Sequence, residues 1–274
     1  MTISLPNSQP YSTEKLPTMY DLPSENPEEP GLPDEFHDFQ PELLRQTCRP
    51  PNYPIEQMFI ASDLNLYYDV NHFNWYKRPD WFLVLGASRF YQNNDLRLSY
   101  VMWQEKVSPL VVVELLSEGT EDEDLGLTEE SAHKPPTKWR VYERILQIPY
   151  YFIFSRYTNQ LRVFRLINNR YREQSLTDSR FWIPELELSI GLWSGDYQGC
   201  QRIWLRWYNS HGDLMLNPEE REQIALQKAE QERIAKQSAI EQVEAERLAK
   251  EIVQQKAERL AAQLRAMGIN PDNL

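Results

Sequence analysis

Three residues have types and positions that could do chemistry together. Asp80 heads an apolar run in RPDWFLVLG, Arg78 to Gly86; Glu114 is the single charge among apolar neighbours in SPLVVVELLSEG, Ser108 to Gly119; and Lys138 opens TKWRVYERIL. Glu114 lies between LVVV and LL in what reads as a strand buried on both faces, where an ionised carboxylate is costly without a cation or hydrogen bonds. Asp80 alone reads equally as a residue that starts a strand or a turn, and gains weight only by sharing a constellation with Glu114. Lys138 is related to Tyr142 and Ile145 by i+4 and i+7, so it leaves the first helical turn at the edge of the expected buried face. Two carboxylates and a lysine have a specific use in phosphodiester chemistry. Asp80 and Glu114 would hold Mg²⁺ or Mn²⁺ through hard oxygen ligands, and Lys138 would orient or activate the attacking water. The bland alternatives are a strand-end glutamate paired with an arginine and a solvated lysine.

The elements that must position these residues follow from the apolar pattern. Short runs rich in Val, Ile, Tyr and Trp predict strands near Met58–Tyr68, Trp81–Leu85, Leu110–Leu116, Tyr150–Phe154, Leu161–Leu166 and Tyr171–Leu176. Asn168-Asn169 reads as the turn between the last two. Leu186–Trp193 and Ile203–Tyr208 are further elements of open type. Between the third and fourth strands, Pro135-Pro136-Thr137 leads into a helix with Thr137 as N-cap and Trp139, Tyr142, Ile145 and Leu146 on one face. This order predicts an α/β or α+β fold with a mixed sheet and flanking helices, occupying residues 55–215.

The core is flanked by two different segments. Residues 1–54 hold eleven of the 19 prolines and nine acidic against three basic side chains, which predicts an extended acidic arm with a short helix around Phe36–Gln46. Residues 217–267 open on Asn217-Pro218-Glu219-Glu220 and end at Gly268, a pattern for one long charged helix. Val253, Ala257, Leu260, Leu264 and Met267 give a 4-3-4-3 seam that Lys250, Glu246 and Lys236 interrupt, so a short coiled coil and a homo-oligomer are expected.

Charge narrows the partners. The net charge of −12 argues against a large phosphate-binding surface, yet residues 131–210 carry twelve Lys or Arg against six Asp or Glu, leaving DNA as a partner. Seven carboxylates between Glu118 and Glu130 lack the spacing of a calcium loop and read as a solvated charge run. Four scattered histidines make zinc improbable, and two cysteines, Cys48 and Cys200, fit a reducing compartment. With no signal-peptide pattern and no apolar stretch of ~20 residues, a cytoplasmic protein away from membranes is expected. The eight tryptophans could stack bases, although packing is their commoner use.

RPDWFLVLG, SPLVVVELLSEGT and KWRVYERILQIPYYFIF, in that order and spacing, resemble the Uma-type restriction endonuclease family of bacteria, within the PD-(D/E)XK nuclease superfamily. The resemblance covers roughly Ile55 to Trp193. Family members show Pro-Asp before a strand, Glu within a strand that ends in Ser, and Lys four residues before a Tyr. These positions here are Asp80, Glu114 and Lys138. Leu116 stands where the superfamily name places lysine, so the resemblance implies a lysine supplied from the helix by Lys138. It further implies a Mg²⁺-dependent DNA endonuclease, with an additional acidic residue from the N-terminal region, for which Glu35, Glu42 and Asp63 are candidates. The alternative is a non-catalytic interaction or DNA-binding protein on the same fold, oligomerising through its C-terminal helix.

Overall fold

The structure is a computed structural model that describes residues 34–92, 94–117, 121–129 and 134–268. Its centre is a six-stranded mixed sheet in the spatial order Met58–Ala61, Trp81–Leu85, Val111–Leu116, Tyr150–Ser155, Gln160–Ile167, Arg170–Gln174. Only the two middle strands, Val111–Leu116 and Tyr150–Ser155, run parallel; every other neighbour is antiparallel. Both middle strands are buried along their whole length, as expected of near-continuous apolar runs covered on two faces. A parallel pair needs a crossover, and the segment from Lys138 to Ile145 supplies its helix. The hairpin at Asn168-Asn169 turns through two residues at φ 51° and 59°, the left-handed pair that suits the twist of the flanking strands.

Two cores lie on the two sides of this sheet. On one, Trp81, Val113, Leu115, Phe152 and Phe154 join a second sheet of three antiparallel strands, Arg180–Ile183, Leu188–Tyr197 and Cys200–Tyr208. The helix Phe36–Thr47 seals that side: Phe36 stacks on Trp204, and the Gln40 side-chain amide both donates to the Leu205 carbonyl (3.0 Å) and accepts from the Leu205 N–H (2.8 Å). On the other side, Phe82, Val112, Tyr142, Ile148 and Tyr151 pack under the crossover helix.

Several expectations change. The helix at Phe36–Thr47 belongs to the core, because its apolar stripe of Phe36, Leu43 and Leu44 is buried; residues 1–33 of the expected arm lie outside the described residues. The strand expected over Met58–Tyr68 breaks at Asp63, held at φ 50°, into Met58–Ala61 and Leu66–Tyr67. Leu66–Tyr67 joins Tyr76–Lys77 and Tyr100–Val101 in a small sheet whose two-residue strands are too short to show alternation. The crossover helix widens after Arg140, with the Leu146 N–H reaching back to the Val141 carbonyl and the Ile148 N–H to the Tyr142 carbonyl. That π-type turn rotates Ile145 outward to 43% exposure while Leu146 stays buried.

A second compact unit, from Leu216 onward, is one helix, Pro218–Ala266, whose 49 residues span ~74 Å at 1.5 Å per residue. Asn217 and Glu220 cap it reciprocally, and pairs such as Arg233–Glu230 and Arg247–Glu251 support it along its length. Ile234, Val243, Val253 and Leu260 lie exposed on it. Among the described residues no helix is long and apolar enough to cross a membrane.

Candidate active site

Strand alternation sends Val111, Val113 and Leu115 to one core and Val112, Glu114 and Leu116 to the other, so Glu114 points beneath the crossover helix. The antiparallel register pairs Trp81 with Val113, which brings Asp80, one residue earlier, beside Glu114, one residue later. The contact is direct. Glu114 Oε2 accepts from the Asp80 N–H at 3.4 Å, and Asp80 Oδ2 accepts from the Leu115 N–H at 2.6 Å. From the helix, Tyr142 donates its hydroxyl to Glu114 Oε1 at 2.7 Å, and Lys138 Nζ donates to Oε2 at 3.2 Å. The i, i+4 spacing of Lys138 and Tyr142 thus delivers one cation and one hydroxyl to the two oxygens of a single buried carboxylate.

A fourth charged residue was not anticipated. Asp124, inside the run read as solvated, is 1% exposed and holds Lys138 Nζ at 2.7 Å, closer than Glu114 does. Tyr151, on the neighbouring strand, donates its hydroxyl to the Asp124 carbonyl at 2.9 Å. Next to it, Glu123 Oε1 takes both the Lys138 N–H (3.1 Å) and Lys77 Nζ (2.7 Å). This segment is therefore clamped to the crossover helix. EDED by itself gives no period that distinguishes the buried Asp124 from the exposed Glu121 and Asp122; only Leu125, an apolar residue after the run, hints at an inward turn.

Burial is the first influence on every group here. It pushes Glu114 and Asp124 up to about 7 each, despite Lys138 beside both, and Asp80 also sits above the usual carboxylate range. For Lys138, burial favours the neutral form, but Asp124, Glu114 and Asp80 together outweigh it and keep the amine charged. When all three are ionised these carboxylates outnumber the one ammonium they face, with His37 the next positive neighbour of Asp80. The surplus, together with Asp80 Oδ1, which has no hydrogen-bond partner among the described residues, fits the hard oxygen donors that Mg²⁺ or Mn²⁺ takes. Among the described residues no group of three or more His, Cys, Asp or Glu side chains is arranged to hold a metal, so two carboxylates would be joined by water or substrate oxygens.

Of the N-terminal acidic candidates, Asp63 comes nearest in the backbone, its N–H donating to the carbonyl of Pro79, the residue before Asp80, at 3.1 Å. Glu35 is exposed at the helix start, Glu42 pairs with Arg45 and Gln46, and Asp63 pairs with Arg78 at 2.5 Å. What the first helix brings toward the site is His37. Its Nε2 lies 3.0 Å from the Leu115 carbonyl and its Nδ1 3.0 Å from Asp34 Oδ1; burial opposes the charged ring, but Asp34, Asp80 and the Leu115 carbonyl together hold the imidazole above its ordinary pKa. Both ring nitrogens face acceptors, an arrangement that favours the protonated ring, and the contact with the Leu115 carbonyl holds the residue whose N–H anchors Asp80. A single histidine in a helix carries no sequence signal for that role.

The fold and site define a mixed α+β protein whose central sheet buries one acid, Glu114, on a strand and sets a second, Asp80, immediately before the antiparallel neighbour, with a lysine delivered by the following crossover. The chain belongs to the Uma2 family, described as "Putative restriction endonuclease", which matches residues 11–198. No curated protein matches it.

Proposed function

We propose that the protein hydrolyses phosphodiester bonds in DNA as a Mg²⁺- or Mn²⁺-dependent endonuclease. Its family supports this, and the observation that carries it is the convergence on Glu114 Oε2 of the Asp80 N–H and the Lys138 ammonium. Asp80 and Glu114 would hold the cation, and Asp124 would aim Lys138. When bound, the cation supplies Lewis-acid stabilisation of the phosphoryl oxygens and a more acidic water. Lys138, fully charged and fixed by two carboxylates, orients the attacking water and offsets charge on the phosphorane-like transition state. Tyr142 keeps Glu114 in one rotamer by occupying its far oxygen. Leu116 leaves the strand without a lysine, and the helix supplies the ammonium instead.

The test is nicking of supercoiled plasmid in Mg²⁺ or Mn²⁺. Wild-type protein should nick, and Asp80→Ala and Glu114→Ala should each lose at least 100-fold, in line with the loss of a principal transition-state stabiliser. Nicking that persists in both variants would remove this site from the reaction.

A further inference from the structure

The small sheet beside the site presents rings to solvent, and no part of the catalytic reading uses them. Tyr67 and Tyr76 are directly opposed across the Leu66–Tyr67 and Tyr76–Lys77 strands, with ring centroids 5.4 Å apart. Trp103, two residues beyond the third strand, stands 6.4 Å from Tyr67 and 6.1 Å from Phe73, and Phe73 is 71% exposed. None of these four side chains is buried. Close by in sequence, the His72 ring already lies flat on Trp75 at 3.7 Å, in the geometry a nucleobase adopts on an indole.

We propose that this aromatic platform binds the unstacked bases of single-stranded or splayed nucleic acid, next to the scissile phosphate. The inference rests on the phosphodiesterase reading and names the form of its substrate. Three observations select this occupant. First, the cluster is made of rings, Phe73 and Tyr76 exposed and Tyr67 and Trp103 half-buried, where an ordinary protein-docking patch is aliphatic as well. Second, Lys106 ends the helical turn that carries Trp103, is exposed, and has no ion-pair partner among the described residues, so a cation is free for a phosphate. Third, the strand that bears Tyr76 runs through Lys77, Arg78 and Pro79 into Asp80. At ~3.3 Å per extended residue that path is at most ~13 Å, the reach of about two nucleotides. Lys77 Nζ adds a second link, because its partner Glu123 also holds the Lys138 N–H. An intact duplex hides its base faces within the stack, so the platform favours strands that are open.

The experiment is fluorescence anisotropy on the full chain in EDTA, where no cleavage occurs, with labelled oligothymidylate and a hairpin duplex of equal length. Oligothymidylate should bind at least tenfold more tightly. Phe73→Ala should weaken it about fivefold or more, and Phe73→Ala with Trp103→Ala by about 100-fold, with the far-ultraviolet dichroism melt unchanged for the single variant. Lys106→Ala should flatten the salt dependence of binding. Equal or tighter binding of the duplex, or Phe73→Ala binding like wild type with its fold intact, would overturn the platform. So would no binding of oligothymidylate by wild-type protein, which would leave the rings to a protein partner. Plasmid nicking scores the catalytic reading separately: single-strand binding that depends on Phe73 in a protein that never nicks would support the platform and sink the endonuclease.

Discussion

The Val111–Leu116 strand faces two interiors that are equally buried and chemically opposite. Val111, Val113 and Leu115 share a cluster with Trp81, Phe152, Phe154 and Trp207, and the cations packed on that side lie on rings, the buried Arg206 over Trp193 and Arg202 over Phe36 and Trp204. Val112, Glu114 and Leu116 meet the crossover helix, where Glu114, Asp124 and Lys138 are drawn together and Tyr142 and Tyr151 turn hydroxyls inward. The dry side stabilises the fold by removing apolar area from water, at ~25 cal/mol per Å². The charged side adds little net stability, since desolvation offsets most of the attraction between its charges. Its hydrogen bonds are what make the burial tolerable, and the surplus of carboxylate is what the proposed cation would offset. One strand thus separates an apolar interior that holds the molecule together from the charged cluster to which the proposed reaction is assigned.

That contrast can be broken by pairing a variant from each side. Glu114 and Asp124 have folded pKa values of about 7, raised above their ordinary 4.5 and 3.8. A raised acid stabilises the fold fully below its unfolded value, and that contribution is lost as pH rises through the folded value. Lys138→Met would raise both further, so at pH 8 the fold bears the cost of two buried acids that the unfolded chain leaves ionised, while at pH 5 both are already neutral. Urea denaturation in EDTA should show a loss of ~3–5 kcal/mol at pH 8 and less than ~1.5 kcal/mol at pH 5. Phe152→Ala, on the dry side, should lose ~3–5 kcal/mol at both. Equal losses for Lys138→Met at the two pH values would mean that its ammonium does not balance the cluster. A smaller effect sharpens the same division: Tyr142→Phe removes one hydrogen bond to Glu114 and should cost ~1.5–3 kcal/mol at pH 8, again measured by urea denaturation. No loss there would show that Glu114 Oε1 is satisfied without Tyr142.

The two interiors were not equally legible in the sequence. Apolar runs located the strands of the main sheet to within a residue or two at Trp81–Leu85, Val111–Leu116 and Tyr150–Ser155, because burial on both faces leaves an unbroken hydrophobic signal. The short strands at Tyr76–Lys77, Phe90–Tyr91 and Asp95–Leu96 give no period to read. Glu114 stood out because a charge inside such a run has an evident desolvation cost. Asp124 did not, because it sits among other acids and becomes special only when the chain folds it against Lys138. Likewise the 3.6-residue period placed Lys138 and Tyr142 on the inner face but misplaced Ile145, since a helix that widens to a π-type turn abandons that period. His37 was weighed only as a zinc ligand, and its bond to the Leu115 carbonyl spans 78 residues of sequence.

The central claim, that the charged side of the sheet is built for a divalent cation, is tested most directly by calorimetric titration of Mn²⁺ into metal-free protein at pH 8. Wild-type protein and Val113→Ala, altered only on the dry side, should bind alike. Glu114→Gln, which keeps the shape and removes the charge, should weaken binding at least tenfold. Unchanged Mn²⁺ affinity in Glu114→Gln, or no binding by wild-type protein at millimolar Mn²⁺, would contradict the account.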